Sequence, residues 1–394
     1  MPFSRHLKRS LEKSITLRSV YWSVVLNRVD RRAAEAPLLP RTDARQTIVF
    51  ARLDSIGDFV LWTATFPALN SIYSRDRFRR ILIANRIWAS LANLTKFFDD
   101  VIEVDRRTFA MSPIYRGEIG RAVAELGADV FINPTLSRDF LWADSLARVS
   151  GADETIASTG VFNRMTPWQG RVANRWYTRL LDAPAEPTHE LIANHRFVEQ
   201  LTPAGSTFEL EPPRLPLQRA PGERIVLFLG AQEAFRRWPV EHFAAVATDL
   251  ASGGYEVIVA GGPGEEHLGK DFGRVYEGEF CDLTGKTRLT EFAELLAGAS
   301  LLITNDTGAG HIAAAVNCPA VIINSGAQSD RFFPYPRELS AKGLKQIAVT
   351  FEMPCFGCDW NCVYKELGPD RVRPCIKQIS PASVKQAART LLQR

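Results

Sequence analysis

The segment LLITNDTGAGHIAAAV, residues 301–316, gives the clearest indication of the fold class. It opens with an apolar run of strand length, passes through a polar, glycine-containing turn and continues as a helix of small residues. This strand–turn–helix order is typical of a parallel sheet covered by helices. Because ligands of such sheets bind beyond the carboxyl ends of the strands, the turn is a candidate functional site.

The same alternation recurs on both sides of this segment. Apolar runs of strand length, each separated from the next by a helix-length stretch, occur at 47–53, 81–86, 101–105, 130–135, 225–231, 256–262, 301–306 and 320–326. The pattern stops between Pro203 and Gly222, where five prolines cluster, and such a stretch is typical of a linker.

We therefore predict an α/β protein with two Rossmann-like, doubly wound parallel-sheet domains. The predicted segments are a basic N-terminal helical arm at 1–46, a first domain at 47–205, a proline-rich linker at 206–222 and a second domain at 223–394.

Composition excludes several classes of protein. The chain has 394 residues, 46% of them hydrophobic, which is enough for two buried cores and too apolar for a disordered protein. A net charge of +4 is too small for a dedicated nucleic-acid binder. No apolar stretch reaches the roughly 18–20 residues of a membrane-spanning helix, and no signal-peptide cleavage site follows the basic start. We therefore expect a cytoplasmic protein.

The charge is concentrated in the predicted arm. Residues 1–48 carry ten Lys and Arg but only four acidic residues, so this segment is +6 and the rest of the chain is −2. Apolar residues at near-helical spacing lie between the cations, namely Leu7, Leu11, Ile15, Val20, Val24 and Val25. Such a helix is suited to the anionic inner face of the inner membrane. A solvated or partner-packing helix is the alternative.

The turn after the first predicted strand contains Gly57 and Asp58. A carboxylate here is a candidate general base, and the glycine allows a sharp turn or a close approach to a ligand. Alternatively, Asp58 is only an acidic residue in the first turn of a helix, where the helix dipole favours it.

The turn within the opening segment is a candidate phosphate-binding site. The N–H groups of Thr307 and Gly308 lie at the positive end of the following helix, which favours an anion. His311, one turn further on, could donate a proton or a hydrogen bond. A glycine-rich turn that only allows helix–sheet packing is the alternative.

Two further strand ends in the second half carry charged side chains. Arg236 and Arg237 could hold a diphosphate, because guanidinium groups match phosphate oxygens bidentately. Glu265 or Glu266 could accept hydrogen bonds from ribose hydroxyls, as acids do in dinucleotide-binding folds. Exposed arginines before a helix, and a carboxylate that caps one, are the alternatives.

Four cysteines form the series Cys355-x2-Cys358-x3-Cys362-x12-Cys375. Four thiolates at this spacing can close a tetrahedral, structural site around zinc or iron, and four unliganded thiols are the alternative. No Asp-x-Asp pair occurs in the chain, so a metal-bridged nucleotide diphosphate has no obvious carboxylate ligands.

Together these turns resemble glycosyltransferase family 9, the bacterial ADP-heptose:lipopolysaccharide heptosyltransferases. The matching motifs are Arg52-x4-Gly57-Asp58 with Pro67-Ala68-Leu69, Trp238-Pro239-x-Glu241-x-Phe243, Asp282-Leu283-Thr284-Gly285 with Leu289-x2-Phe292, and Asn305-Asp306-Thr307-Gly308-x2-His311-Ile312-x-Ala314-Ala315 followed by Pro319. The cysteine series resembles the iron-finger element of the autotransporter heptosyltransferases in the same family.

The resemblance implies a GT-B fold with a cleft between two Rossmann-like domains, the first binding the acceptor and the second the nucleotide sugar. It also implies inverting transfer without a catalytic metal, with Asp58 as base. The implied donor-site residues are Arg236 (usually Lys), Glu265, Glu266, Asp306, Thr307, Gly308 and His311, and the implied acceptor-site residues are Arg52 and Gly57.

We therefore expect an enzyme that moves a heptose or similar sugar from a nucleotide diphosphate, with ADP-heptose as the expected donor, to a surface glycan or glycolipid such as the lipopolysaccharide core. We expect no nucleic-acid partner. A non-catalytic nucleotide- or glycan-binding subunit and a nucleotide-sugar epimerase are the alternatives.

Overall fold

The computed structural model describes residues 21, 25–37, 43–161, 165–202, 206–364 and 372–392. They divide into two compact units. The first unit contains the described residues within 1–55, 65–186 and 193–208, and the second contains those within 56–64, 187–192 and 209–394. Residues 56–64, which follow the first strand, therefore pack with the second unit.

A sheet of six parallel strands forms the centre of the first unit, in the spatial order β3-β2-β1-β4-β5-β6. The strands are β1 (Gln46–Arg52), β2 (Phe78–Asn85), β3 (Asp100–Val104), β4 (Val130–Asn133), β5 (Glu154–Ser158) and β6 (Arg179–Leu181). Every residue of β1 after Gln46 is buried, as expected for a central strand covered on both faces.

Helices cover this sheet, and the helix that precedes β1 is fastened by a buried ion pair. Arg116 donates to both carboxylate oxygens of Asp30, at 2.6 and 3.0 Å. The helices of the first unit are α1 (Asn27–Ala34), α3 (Phe66–Ile72), α4 (Ala89–Thr95), α5 (Arg106–Met111), α6 (Pro113–Ala124), α7 (Ala143–Val149) and α8 (Pro167–Asn174). Helix α2 (Ile56–Trp62) belongs to the second unit, and α9 (Glu190–Glu199) contains residues of both units.

The second unit repeats this arrangement. Its six parallel strands have the order β12-β11-β10-β7-β8-β9, which is the order of the first sheet when taken from β9. The strands are β7 (Arg224–Phe228), β8 (Glu256–Gly261), β9 (Cys281–Thr284), β10 (Leu301–Asn305), β11 (Ala320–Ile323) and β12 (Gln346–Val349). β7 and β10 are neighbours, and the strands that follow each of them extend to opposite edges of the sheet. This is a topological switch point, and ligands bind at the turns after such strands.

The helices that follow β7 in the second unit are α10 (Val240–Ser252), α11 (Glu266–Gly273), α12 (Leu289–Ala297), α13 (Gly308–Ala315), α14 (Glu338–Ala341), α15 (Pro374–Lys377) and α16 (Pro381–Leu392). Apolar residues of α10, α11, α15 and α16 pack with the strands in one core cluster that includes Trp238, Phe243 and Phe272. Among the described residues, no helix combines the length and apolar character that crossing a bilayer requires.

The predicted α/β class with two doubly wound parallel sheets is confirmed. The eight predicted strands are present, and β5, β6, β9 and β12 were not predicted. The helix after β1 begins at Ile56, so Asp58 lies in its first turn. Most of the predicted membrane-binding arm, residues 1–20 and 22–24, lies outside the described residues.

Candidate active site

The turn between β10 and α13 is built around Asp306, Thr307 and Gly308. Thr307 is the N-cap of α13, and its side-chain oxygen accepts a hydrogen bond from the Ala309 N–H at 3.4 Å. The three residues are partly exposed, whereas Thr304 and Asn305 before them are fully buried. The positive end of an eight-residue helix therefore lies in a turn that a ligand can reach.

Asn305 joins this turn to the neighbouring strand end. Its side-chain N–H₂ donates to the carbonyls of Leu229 and Gly230, at 2.9 and 3.2 Å. Its side-chain carbonyl accepts from the Trp238 N–H at 2.8 Å. The buried amide thus holds the turns after β7 and β10 together, a role that the sequence motif did not reveal.

Arg236 lies beside the same turn. Its Nη2 donates to the Asp306 carbonyl at 2.8 Å and lies 3.9 Å from the Asp306 carboxylate. Within the described part of the chain, its buried Nε has no hydrogen-bond partner. Burial raises the pKa of Asp306, and the Arg236 charge opposes that rise. A guanidinium with a spare donor therefore stands next to the helix terminus, which suits a diphosphate.

Arg237 and the two glutamates are arranged differently. Arg237 donates to the Ala231 carbonyl at 3.1 Å and pairs with Glu265 at 3.4 Å. Its guanidinium is therefore engaged by other groups than that of Arg236, which contacts Asp306. Glu265 also accepts from the Gly262 N–H at 2.7 Å. A Cβ at Gly230 would lie 1.8 Å from Glu265 Oε2, so a larger residue at position 230 would displace this carboxylate.

Glu266 is exposed and accepts from the Gly264 N–H at 3.1 Å. Hydrogen bonds from its own backbone N–H and from the Gly264 N–H lower the pKa of its carboxyl. A Cβ at Gly285 would lie 2.3 Å from its Oε1, which places Glu266 beside the Asp282–Gly285 motif. Both glutamates thus lie at the end of β8, where the sequence placed a ribose-binding carboxylate.

The first turn of α2 packs against α13, and both helices belong to the second unit. A Cβ at Gly57 would lie 2.6 Å from His311 Cδ2 and 3.3 Å from Nε2, so glycine is required for this approach. A Cβ at Gly308 would lie 3.1 Å from the Ile56 side chain. Half-buried Asp58 follows Gly57 directly, so the candidate base and the candidate anion site are neighbours within one unit.

His311 is held neutral and in one orientation. Its ring is 3% exposed and stacks on Phe333 at 4.3 Å. Burial lowers its pKa to about 3, whereas burial raises the pKa of Tyr335 well above its usual value. The protonated Tyr335 hydroxyl lies 2.8 Å from His311 Nδ1, so a hydrogen bond joins the hydroxyl to the neutral ring, and its direction follows from the ring tautomer.

Arg52 has no exposed surface in the first unit. Its Nε pairs with Asp54 at 2.9 Å, and its Nη1 donates to the Asn194 side chain at 3.0 Å. The guanidinium is thus buried and engaged by Asp54 and Asn194.

Asp54 lines a cleft of about 270 Å³ in the first unit, at the ends of β1 and β4. Trp142, with the Arg106 guanidinium 3.3 Å from its ring centre, forms part of the lining. The other lining residues are Leu53, Asn133, Thr135, Ser137, Asp139 and Ala143. Sequence patterns gave no motif in this region, because the lining residues come from separate turns.

The four cysteines of the predicted metal site line one cavity of about 350 Å³ in the second unit. Burial raises the pKa of Cys375, and the other three cysteines add to that rise. As placed, however, no three His, Cys, Asp or Glu side chains among the described residues form a group that could hold a metal ion. Four cysteine thiols are thus suited to zinc or iron in number and type, but in this structure they do not converge on a common metal position.

A family model for Glycosyltransferase family 9 (heptosyltransferase) matches residues 188–357. The resemblance to family 9 is confirmed. The match covers the turn at 304–311, Arg236, Glu265 and Glu266, and it ends within the cysteine series.

The lipooligosaccharide heptosyltransferase 2 of Haemophilus influenzae is 38% identical over 103 residues. That alignment covers 25% of this chain and 30% of the relative. The chain therefore matches less than a third of the length of this curated relative of family 9.

Solved structures share the fold over a longer stretch. The E. coli ADP-heptose LPS heptosyltransferase II superposes with a TM-score of 0.66 at 18% identity, covering 88% of this chain and 98% of that one. The iron-containing dodecameric glycosyltransferase TibC from enterotoxigenic E. coli superposes with a TM-score of 0.52 at 17% identity, covering 90% and 78%. These structures confirm the α/β fold of the GT-B type.

Proposed function

We propose that the protein is an inverting glycosyltransferase that transfers a heptose from ADP-heptose to a bacterial surface glycan such as the lipopolysaccharide core. One observation carries this proposal. The turn that bears Asp58 packs against the helix that opens at Thr307 and Gly308, through the contact of Gly57 with His311. A base and an anion-binding helix terminus are thereby brought into one site.

Asp58 is the proposed general base. A carboxylate at this position takes the proton from the acceptor hydroxyl as that oxygen attacks the anomeric carbon. The new bond forms on the face opposite the departing diphosphate, so the configuration of the anomeric carbon inverts. Gly57 allows the turn that bears Asp58 to pack closely against His311, which belongs to the proposed donor site.

The departing diphosphate is stabilised by fixed positive groups. Arg236 supplies a guanidinium with a buried, unpartnered Nε among the described contacts, and the N-terminus of α13 supplies backbone N–H groups. Such preorganised donors stabilise charge that develops in the transition state, which is the role a metal serves in other transferases. We therefore assign no catalytic metal to the reaction.

The remaining second-unit residues bind the donor. Asp306 faces the sugar hydroxyls, neutral His311 supports the same pocket, and Glu265 or Glu266 accepts from the ribose hydroxyls. Support for an ADP sugar comes from the E. coli structure with this fold, whose protein is an ADP-heptose LPS heptosyltransferase. Support for heptose comes also from the family model.

The acceptor is assigned to the first unit. Its cleft at Asp54 and Trp142 offers carboxylate, hydroxyl and aromatic groups, which are suited to sugar rings and their hydroxyls. We propose a glycan or glycolipid acceptor at the cytoplasmic face of the inner membrane, with the part of the basic arm that precedes Val25 as the membrane-contacting segment. Arg52 serves this site indirectly by positioning Asp54.

The four cysteines are proposed to hold a structural zinc or iron ion. Four thiols on one cavity form the donor set, and the iron-containing glycosyltransferase TibC shares the fold. Metal analysis of chain purified without chelators should give about one ion per chain, and Cys358→Ser should lose it. Less than about one-tenth of an ion per wild-type chain would remove this assignment.

Asp58→Asn tests the reaction. Loss of a general base should lower the rate of heptose transfer by about 10²–10⁴-fold, while ADP affinity measured by calorimetry stays within a factor of about two. Asp100→Asn is the matched control, since Asp100 is half exposed and pairs only at the surface with Arg79. Near-normal transfer by Asp58→Asn would overturn the assigned base.

The same assay separates the two alternatives. A non-catalytic binding subunit would bind ADP-heptose without consuming it. A nucleotide-sugar epimerase would convert the donor with no acceptor present. Donor consumption that requires an acceptor glycan supports transfer.

A further inference from the structure

The loop that carries three of the cysteines, residues 353–364, reaches the proposed diphosphate site. The Trp360 ring lies under the Arg236 guanidinium, with 4.4 Å between the guanidinium carbon and the ring centre. It also contacts Phe235 at 5.8 Å between ring centres. Both partners belong to the short 3-10 helix Ala234–Arg236 that precedes α10.

The cysteine loop is fastened to the segment that follows β11. The Gly357 N–H donates to the Gly326 carbonyl at 2.7 Å, and the Asp359 N–H donates to the Ala327 carbonyl at 2.8 Å. The Gln328 side chain donates to the Asp359 carboxylate at 2.9 Å. These bonds fix the backbone on both sides of Cys358, so the loop has a defined position beside Arg236.

Trp360 has a backbone conformation that tryptophan rarely adopts. Its φ is +65°, and that of Asp359 is +43°. Left-handed conformations of bulky residues are unfavourable and persist where the surroundings hold them. Here the hydrogen bonds of Asp359 hold the turn, and the turn directs the indole ring to the guanidinium.

The stacking restricts Arg236 to one orientation. Arginine loses much rotamer freedom when it is ordered, and a face contact with tryptophan stabilises the ordered state. With Nη2 bound to the Asp306 carbonyl and one face of the group covered by Trp360, the remaining donors, including Nε, keep a fixed direction. A guanidinium fixed in this way binds an anion without first losing further freedom.

We propose that Trp360 is a positioning residue that holds Arg236 in its diphosphate-binding orientation, and so couples the cysteine loop to donor affinity. The inference rests on the proposed function, because it assumes that Arg236 contacts the diphosphate. It goes further by giving the cysteine loop a role in donor binding. Trp360 itself is not expected to touch the substrate.

The test compares ADP and AMP binding by calorimetry in wild type, Trp360→Ala, Trp360→Phe, Arg236→Ala and the Trp360→Ala/Arg236→Ala double variant. Trp360→Ala should weaken ADP binding by about 5- to 30-fold, the range of a partly desolvated cation–π contact. AMP binding should weaken less, because AMP lacks the second phosphate. Trp360→Phe should restore most of the ADP affinity.

The double variant is the decisive measurement. If Trp360 acts through Arg236, then removing it from Arg236→Ala should change ADP affinity by less than about twofold. In transfer assays, Trp360→Ala should raise KM for the donor more than it lowers kcat. Phe351→Ala, an exposed aromatic truncation just before the loop, is the control and should match wild type.

The outcomes separate the inference from the proposed function. Wild-type protein that fails to bind ADP would overturn the proposed function. If Arg236→Ala weakens ADP binding while Trp360→Ala leaves it unchanged, the function stands and the positioning role falls. Equal losses from Trp360→Ala in the presence and absence of Arg236 would show a general effect on the loop, and would likewise overturn the positioning role.

Discussion

His311 shows how neighbouring side chains set the chemistry of a single residue. The motif in the sequence located His311 at the candidate anion site, but it could not give the protonation state. Tyr335, 24 positions further along the chain, supplies the hydroxyl at Nδ1, and Phe333 covers the ring. These partners come from a segment with no matching motif, so only the folded structure reveals that the ring is neutral and hydrogen-bonded to Tyr335.

Tyr335→Phe tests this arrangement. Removing the hydroxyl leaves buried Nδ1 without its hydrogen-bond partner and the ring less well held, so kcat/KM for transfer should fall about 5- to 10-fold, the value of one hydrogen bond. Steady-state transfer kinetics give the measurement. Tyr255→Phe, at a half-buried tyrosine in the connection between α10 and β8, should retain wild-type kinetics. An unchanged kcat/KM in Tyr335→Phe would contradict the role given to the hydroxyl.

At the scale of elements, strands with continuous apolar runs were predictable and short mixed strands were not. β1 and β10 are central and buried on both faces, and each contains an unbroken apolar run, residues 48–51 in β1 and 301–303 in β10. β9 and β12 are four-residue edge strands whose residues are mostly only partly buried. Their CDLT and QIAV sequences carry too weak a pattern to separate a strand from a loop.

Asn305 connects three of these elements. Asn305→Ala should lower the free energy of unfolding by about 2–4 kcal/mol, because two buried carbonyls and the Trp238 N–H lose their partner. Urea unfolding followed by tryptophan fluorescence measures the change. The control is Asn93→Ala on the exposed face of α4, expected to differ from wild type by less than about 0.5 kcal/mol. If Asn305→Ala changes the free energy of unfolding as little as the control does, the hydrogen bonds of the Asn305 side chain do not contribute to stability.

For the whole molecule, buried histidines make stability depend on pH. His189 accepts from the Leu191 N–H at Nδ1 and lies 2.8 Å from the Phe332 carbonyl through Nε2, a pairing that requires the neutral ring. Burial lowers its pKa to about 4. Since the unfolded chain binds this proton at about pH 6.5 and the folded chain does not, stability is lost as the pH falls from about 6.5 towards 4.

We expect this histidine alone to account for roughly 3 kcal/mol of stability lost between pH 7 and pH 4. Unfolding free energies measured across that range should therefore fall less steeply in His189→Gln than in wild type. His267→Gln, at an exposed position of α11, should keep the wild-type slope. Identical slopes in wild type and His189→Gln would show that His189 does not contribute.

The architecture of the whole chain was largely predictable, whereas its grouping into units was not fully visible in the sequence. Two series of alternating strands and helices dictate two doubly wound sheets. Residues 56–64 nevertheless pack with the second unit although β1 before them belongs to the first. Sequence order cannot reveal such an exchange, because it depends on the Gly57 and Gly308 contacts made after folding.

The ion pair between Asp30 and Arg116 has a practical consequence for making shorter versions of the protein. A truncation at residue 47, where the first strand was predicted to begin, would discard Asp30 and leave the fully buried Arg116 guanidinium without its carboxylate. Such an uncompensated buried charge costs about 3–5 kcal/mol. An expression boundary placed ahead of Asn27 keeps α1 and its ion pair with Arg116.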